Sequence, residues 1–216
     1  MSKNHRAVAI DGPAASGKST VAKRLASTLG LIMVNSGAMY RAVTWKILQD
    51  GIDASDPAAV IASLGQMDIE CGMEEGLSTI AINGQILASE LRAPEVNDNV
   101  SKVASVPEVR ERLVAMQRNY LENCDVVMEG RDIGSVVFPE TPFKLYIDAS
   151  EEVRAARRSK DGEADAVAKR DAQDSQRKAS PLRISDGSIV IDSSDLTIDG
   201  TVSAAHQALI KLGWKD

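Results

Sequence analysis

The sequence predicts an α/β fold in a single domain over residues 1–216: a parallel five-stranded sheet flanked by helices, with a small antiparallel β insertion and a short helical lid. Short apolar runs alternate with helical patterns, which is typical of a parallel sheet with crossover helices. The chain of 216 residues suits one α/β domain with an insertion. Hydrophobic residues make up 44% and aromatic residues only 3%, so we expect an aliphatic core.

Five apolar runs provide the predicted strands, and each run ends in a polar or acidic residue. They read RAVAID, LIMVN, CDVVMEG, FKLYIDAS and GSIVIDSS in chain order. In open α/β sheets, ligands bind beyond the carboxyl ends of the strands. We therefore expect the functional site at that edge.

One stretch departs from this alternation. Residues 67–88 alternate apolar and polar side chains and contain Asn83-Gly84, a strong two-residue hairpin signal. This predicts an antiparallel insertion at about residues 63–100, between the second and third strands. Such an insertion suits a lid or an acceptor-binding lobe, whereas a surface hairpin without function is the alternative.

The first apolar run leads into Gly12-x-x-x-x-Gly17-Lys18-Ser19, a complete phosphate-loop pattern between a strand and a helix. Glycines let successive backbone N–H groups turn inward around phosphate, and the helix start adds its own N–H groups. We expect Lys18 to contact the β- and γ-phosphates and Ser19 to bind Mg²⁺. The residues of this predicted nucleotide site are Gly12, Pro13, Ala14, Ala15, Ser16, Gly17, Lys18, Ser19 and Thr20.

Bulk properties exclude several classes of function. The net charge of -6 argues against a non-specific nucleic-acid binder. The two cysteines are far apart and suggest free thiols in a reducing compartment. The two histidines lie near the termini and offer no histidine-based metal site. The N-terminus does not read as a signal peptide and no run is long enough to span a membrane, so we expect no membrane partner and a cytoplasmic location.

The second and third predicted strands are each followed by polar residues that a hydrophobic core does not require. Ser36 is expected to cap the next helix, with Arg41 about one turn in. Glu129 ends a strand of the kind that supplies an acid to the Mg²⁺ shell, and Arg131 and Asp132 leave that strand at the binding edge. The alternative for the last two is a local ion pair.

A helical hairpin at about residues 154–177 concentrates basic residues and is the predicted lid. Its arginines are Arg154, Arg157, Arg158, Arg170 and Arg177. The alternative is a solvated charged face, because acidic residues are interleaved. A phosphate loop combined with several separate arginines suits phosphoryl transfer between nucleotides, where the protein mainly positions the reactants and neutralises charge.

The chain resembles the bacterial cytidylate kinase family, a group of nucleoside monophosphate kinases. The stretches that carry the resemblance are AIDGPAASGKST, NSGAMYRAVTW, VASVPEVRERL, VVMEGRDIGSVVFP, KLYIDASEEVRAARR, RDAQDSQRKASPL and IDSSDLTID. The resemblance implies a P-loop kinase that uses ATP and Mg²⁺ to phosphorylate CMP, and dCMP as well, in pyrimidine metabolism. We expect a monomer with nucleotides as its only partners.

The resemblance also implies roles for matching residues. Residues implied to bind CMP are Ser36, Arg41, Ser101, Arg110, Arg131, Asp132, Arg170, Asp174 and Arg177. Of these, Ser101, Arg110 and Asp132 would read the cytosine edge, and Asp174 would bind the sugar. The catalytic group would comprise Lys18, Arg131, Arg157 and Arg158, with Ser19 and Glu129 serving Mg²⁺, the carboxylate through water.

Two departures from the family pattern stand out. Glu129 occupies a position where many relatives carry Asp, and the segment from Arg158 to Arg170 is shorter than in many members. Two other readings stay open at this point: a kinase for UMP or a non-nucleotide acceptor, and a non-catalytic nucleotide-binding module. A GTP-dependent switch is disfavoured because the sequence lacks an Asn-Lys-x-Asp motif.

Overall fold

The computed structural model describes residues 5–160 and 182–215. Its strands are β1 (Ala7–Asp11), β2 (Ile32–Asn35), β3 (Ile69–Glu74), β4 (Leu77–Ile82), β5 (Gln85–Ile86), β6 (Val126–Gly130), β7 (Lys144–Asp148) and β8 (Ile189–Asp192). Its α-helices are α1 (Lys18–Leu29), α2 (Ser36–Gln49), α3 (Pro57–Leu64), α4 (Pro94–Val103), α5 (Pro107–Asn119), α6 (Glu151–Lys160) and α7 (Ile198–Lys211). Within the described ranges, no helix has the length and apolar character needed to cross a membrane.

All five predicted core strands are present and run parallel, in the order β2-β6-β1-β7-β8. β1 lies between β6 and β7, so the loop that follows it leaves from the middle of the sheet. Its side chains alternate between the two faces, as the period of a strand requires. Val8 and Ile10 pack with α1 and α7, while Ala7 and Ala9 face the opposite layer.

The predicted number of strands in the sheet was wrong, because the three strands of the insertion also belong to it. Over the described residues the sheet has eight strands, because the insertion joins it through a parallel pairing of β4 with β2 at Leu77 and Met33. Met33 also donates its N–H to the carbonyl of Gly76 at 2.9 Å. Without β4, β2 would be an edge strand with unpaired backbone groups, which gives a physical reason for the extension.

The insertion is a three-stranded antiparallel meander rather than one hairpin. The predicted turn at Asn83-Gly84 is confirmed: it connects β4 to β5, with φ of 51° and 77°. The larger hairpin, between β3 and β4, turns at Glu75-Gly76, with φ of 49° and 78°. Positive φ at both central residues is the geometry of a tight hairpin turn, and Asn and Gly accept it more readily than Glu.

Two helices, α1 and α7, cover one face of the parallel sheet. Val21 and Leu25 from α1 and Ala205 and Leu209 from α7 share one buried cluster with strand residues. The opposite face is covered by α5 and by the π-helical turn Ile133–Val137 that follows β6. This arrangement leaves the carboxyl ends of the strands to the loops that form the site.

Adjacent residues of α7 provide a test of this layer. Leu209 is fully buried, whereas Ile210 is 54% exposed. We expect Leu209→Ala to lower the free energy of unfolding by about 2–5 kcal/mol, because it removes buried methyl groups and leaves a cavity. Ile210→Ala should change it by less than about 0.5 kcal/mol. Urea unfolding of both variants measures the difference, and equal effects would contradict the assigned face of α7.

Candidate active site

The phosphate loop follows β1 directly, and its first residue must be glycine because no side chain fits there. Gly12 has a φ of 155°, and a Cβ there would lie 2.1 Å from the carbonyl oxygen of Ile147 in β7. Gly17 has a φ of 87° and precedes the first turn of α1. Ala15 also has a positive φ, 58°, which costs an alanine about 1–2 kcal/mol. The loop therefore has three residues with positive φ, a backbone conformation that most residue types disfavour.

The polar groups of the loop contact the loop backbone and the neighbouring strand β6. Lys18 is 6% exposed, and its Nζ donates to the carbonyl of Pro13 at 2.9 Å. Ser19, the second residue of α1, donates its hydroxyl to Oε1 of Glu129 at 2.8 Å. Glu129 lies in β6, in register with Ile10 of β1. The structure thus brings the loop hydroxyl and the strand carboxylate together.

This pair of oxygen donors fits Mg²⁺, which binds few protein ligands and completes its shell with water and substrate phosphates. Among the residues the structure describes, no group of three or more His, Cys, Asp or Glu side chains could hold a metal ion. Ser19 and Glu129 are suited to an ion that arrives with a nucleotide.

The prediction that Ser36 caps α2 was wrong. Asn35 is the cap, because it keeps an extended backbone and its side chain accepts from the N–H of Ala38 at 3.0 Å. Ser36 is the first residue of α2, and its buried hydroxyl donates to the carbonyl of Glu129 at 2.8 Å. A Cβ at Gly130 would approach that hydroxyl to 2.5 Å, so this close contact requires glycine.

Arg131 and Asp132 each contact a partner that is distant in the sequence. Asp132 forms an ion pair with Arg110 of α5, and each of these residues is 5% exposed. Arg131 donates instead to the carbonyl of Gly12 at 3.1 Å. The alternative reading, a local ion pair between these neighbours, is therefore not favoured: one residue contacts α5 and the other contacts the phosphate loop.

The other predicted acceptor-side residues come from two neighbouring helices. Arg41 in α2 donates its Nε to Oδ1 of Asn97 at 3.4 Å. Asn97 and Ser101 are four residues apart on α4 and both are buried, so they share one face of that helix. Arg110 also donates to the carbonyl of Ala104, the residue immediately after α4, at 3.3 Å. These contacts link α2, α4 and α5 around the Asp132 segment.

Arginines at the interval i, i+3 project from α6 onto the phosphate loop. Arg154 donates to the carbonyl of Ala14 at 3.3 Å, and Arg157 to the carbonyl of Ser16 at 3.2 Å. Arg157 also contacts Ser193, whose hydroxyl donates to the same Ser16 carbonyl at 3.1 Å. Arg158 is half-buried beside them. A solvated face is therefore the wrong interpretation for Arg154 and Arg157.

Sequence reasoning gave Arg154 no role, although its spacing to the two predicted catalytic arginines already places it on their face of a helix. The predicted lid residues Arg170, Asp174 and Arg177 lie outside the described residues, and their roles stay predictions.

A second residue missed by sequence reasoning is Asp11, the last residue of β1. Its carboxylate is 2% exposed and accepts from the N–H of Ile133 at 2.7 Å and from the N–H of Gly134 at 2.8 Å. Burial raises the pKa of Asp11 from its ordinary value of 3.8 to about 6, although these two bonds and Lys18 lower it. The only sequence signal was an acid immediately before the phosphate loop.

A parallel sheet with a phosphate loop after its central strand, and arginines from several elements on that loop, defines the protein as a P-loop kinase in fold. A gluconokinase from Sinorhizobium meliloti has a similar structure, with a TM-score of 0.52 and 13% identity over 97% of this chain and 94% of that one. At this identity the likeness concerns the fold alone.

The cytidylate kinase family model matches residues 8–211, and the chain belongs to that family. A protein of Streptomyces avermitilis named cytidylate kinase is 42% identical over 204 residues, which is 90% of this chain and 88% of the relative. Another of that name, from Caldanaerobacter subterraneus, is 42% identical over 215 residues, which is 94% of each chain. The family membership implied by the sequence motifs is confirmed.

The raised pKa of Asp11 has a measurable consequence. The folded protein holds a proton on this carboxyl at pH values where the unfolded chain has released it. Its contribution to the free energy of unfolding is fully present below about pH 3.8 and is lost as the pH rises through about 6. Between those values the wild-type protein should lose up to about 3 kcal/mol relative to Asp11→Asn.

Urea unfolding of the wild-type protein and of Asp11→Asn between pH 3.5 and about 7.5 measures this difference. The other titratable groups are the same in both proteins, so their contributions to the free energy of unfolding cancel. A difference that stays constant over the whole range would contradict the raised pKa.

Proposed function

We propose that the protein transfers the γ-phosphoryl group of ATP to the phosphate of CMP or dCMP, with the residue roles given below. In this reaction a phosphate oxygen of CMP forms the new P–O bond, the bond between the γ-phosphorus and its bridging oxygen breaks, and ADP leaves with that oxygen. The observation that carries the proposal is the buried Arg110–Asp132 pair, held one residue from an arginine that contacts the phosphate loop.

ATP is assigned to the loop of residues 12–20. Its inward N–H groups and the start of α1 suit the phosphates, and Lys18 adds a positive charge that can move from the Pro13 carbonyl to a phosphate oxygen. Mg²⁺ would be held by Ser19 and, through water, by Glu129. When bound, it would supply positive charge that neutralises the phosphates of ATP.

The acceptor phosphate is assigned to Arg41 and Arg131, with Arg170 and Arg177 as predicted lid partners and Asp174 as the predicted sugar ligand. Ser36 is proposed to line this site. Arg131 suits the position between the two substrates, because its guanidinium is anchored on the Gly12 carbonyl at the base of the ATP loop. The acceptor is already an oxyanion, so the protein needs no general base, and alignment and charge stabilisation supply the catalysis.

The cytosine edge is assigned to Ser101, Arg110 and Asp132. Cytosine presents an amino donor beside two acceptors, N3 and O2. A carboxylate can accept from the amino group, while an arginine and a serine can donate to the acceptors. Uracil has an oxygen in place of the amino group, and this oxygen would face the Asp132 carboxylate unfavourably.

A coupled ADP-release assay tests the function directly. We expect turnover with CMP and dCMP, and much less with UMP, AMP and GMP. Lys18→Ala provides the background rate, because it removes the phosphate-binding charge. Equal rates with all acceptors would favour a kinase of broader specificity, and ADP release independent of any acceptor would contradict the proposed reaction. The cytoplasmic location and the monomeric state remain predictions.

The base-reading role has its own test. Asp132→Ala should lower the ratio of kcat/KM for CMP to that for UMP by about tenfold or more, since one polar base contact provides about 1–3 kcal/mol of discrimination. The KM for ATP should change much less. Steady-state kinetics with each nucleotide measures both effects. Full retention of the preference for CMP would show that another residue reads the base.

The α6 arginines are proposed to act on the donor side. Arg158→Ala should lower kcat much more than it raises the KM for ATP, because an arginine that stabilises charge on the transferring group contributes about 10³–10⁵-fold in rate. Arg157→Ala should affect ATP binding as well, because Arg157 is bonded to the loop at Ser16. Arg24→Ala, which removes an exposed guanidinium paired with Asp199, is the matched control. Wild-type values of kcat and of the KM for ATP in both Arg157→Ala and Arg158→Ala would contradict these roles.

A further inference from the structure

The segment that carries Asp132 is attached to the end of β1 by three hydrogen bonds. Both oxygens of the Asp11 carboxylate accept from this segment: Oδ1 from the N–H of Ile133 and Oδ2 from the N–H of Gly134. The third bond joins the Arg131 guanidinium to the carbonyl of Gly12. Asp132 therefore lies between two residues that are fixed to β1 and to the phosphate loop.

The contact around Gly134 is too close for a larger residue. A Cβ at Gly134 would lie 2.6 Å from the hydroxyl of Ser185 and 3.3 Å from Oδ2 of Asp11. The glycine in the sequence Arg-Asp-Ile-Gly thus allows its backbone N–H to reach the buried carboxylate. The motif combines a base-reading acid with the two N–H groups that hold it in place.

The other end of the same turn is held by α5. Arg118 donates to the carbonyl of Val136 at 2.7 Å and to the carbonyl of Val137 at 2.9 Å. The π-helical turn Ile133–Val137 therefore has a carboxylate at the N–H groups of its start and a guanidinium at the carbonyl groups of its end. Both charges match the backbone groups that they contact.

We propose that Asp11 is a positioning residue for base specificity: it fixes the backbone that presents Asp132 to the cytosine edge, and Arg118 supports it from the opposite end of the turn. This inference rests on the proposed base-reading role of Asp132. Asp11 itself is not assigned any contact with substrate.

The chemistry of the contact requires a carboxylate. Two N–H donors point at Asp11, and only a carboxylate offers an acceptor oxygen to each of them. In Asp11→Asn, one side-chain NH₂ would face a backbone N–H, which would leave a buried donor unsatisfied. Burial opposes the ionisation of Asp11, as its raised pKa shows, so the fold keeps this carboxylate at a cost in stability.

The test compares four variants at about pH 8, where a carboxyl with a pKa of about 6 is ionised: Asp11→Asn, Arg118→Gln, Arg112→Gln and Asp132→Ala. Arg112 is the matched control, because it lies on the same helix and also donates to two backbone carbonyls, those of Leu64 and Met67 in the insertion. The measurements are kcat and KM for CMP, UMP and ATP, with circular dichroism to verify folding.

We expect Asp11→Asn to lower the CMP-to-UMP ratio of kcat/KM by about tenfold, mainly through the KM for CMP, because one of its two positioning bonds is lost. Arg118→Gln should lower the ratio by about threefold, because its bonds lie at the end of the turn away from Asp132 and one of them is solvent-exposed. Arg112→Gln should leave the ratio unchanged. A purely structural role for Asp11 would reduce activity with CMP and UMP equally, and the ratio would not move.

The possible outcomes separate this inference from the proposed function. If Asp132→Ala loses selectivity while folded Asp11→Asn keeps it, the positioning role is overturned and the base-reading role stands. If Asp132→Ala keeps selectivity, both are overturned. Should Asp11→Asn fail to fold, Arg118→Gln decides: a ratio equal to that of Arg112→Gln overturns the inference.

Discussion

The close approach of two backbones at the end of β1 determines the geometry of the whole site. Gly12 lies so near the Ile147 carbonyl of β7 that a side chain cannot fit, and the chain must leave the sheet at that point. Asp11, immediately before it, is still enclosed by β6 and β7. The last residue of the strand and the first residue of the loop are therefore the points at which the segment after β6 is bonded to the centre of the sheet.

The carbonyl groups of the loop explain why so many arginines gather in an acidic chain. When successive N–H groups turn inward to form an anion site, their carbonyls point outward and need donors. Alternate carbonyls, those of Gly12, Ala14 and Ser16, accept from Arg131, Arg154 and Arg157. These cations support the loop from its carbonyl side and leave the N–H side to phosphate, so a net charge of -6 does not conflict with an anionic substrate.

Sequence reasoning predicted the parts of the protein that depend on local chemistry. The five parallel strands, the phosphate loop and the Asn83-Gly84 turn each follow from a contiguous pattern. The pairing of β4 with β2 was missed because it depends on an exposed edge that only the assembled sheet creates. The cap of α2 was assigned to Ser36 rather than Asn35, an error of one residue that no pattern in the neighbouring side chains could resolve.

The site itself was predicted as a set of residues rather than as a set of contacts. Arg110 and Asp132 were both named, but their pairing joins α5 to the end of β6 across 22 residues, and the sequence offered a nearer partner in Arg131. The role of Asp11 depends on two N–H groups from a distant segment, and side-chain patterns carry no information about such donors. Contacts between a side chain and the backbone of a distant segment therefore could not be predicted from the sequence.

Under the proposed base-reading role, the buried pair of Arg110 and Asp132 would discriminate between ligands by their hydrogen-bonding groups. A buried ion pair contributes little to stability compared with well-packed apolar residues of similar volume. The two side chains satisfy each other in this structure. A ligand that presents an acceptor beside a donor can replace both halves of that interaction, because it accepts from the guanidinium and donates to the carboxylate. A ligand with two acceptors can accept hydrogen bonds only from Arg110. Its second acceptor oxygen would then face the buried carboxylate of Asp132 without a hydrogen between them. Discrimination then comes from the cost of an unsatisfied charge, which exceeds what a change in shape alone provides.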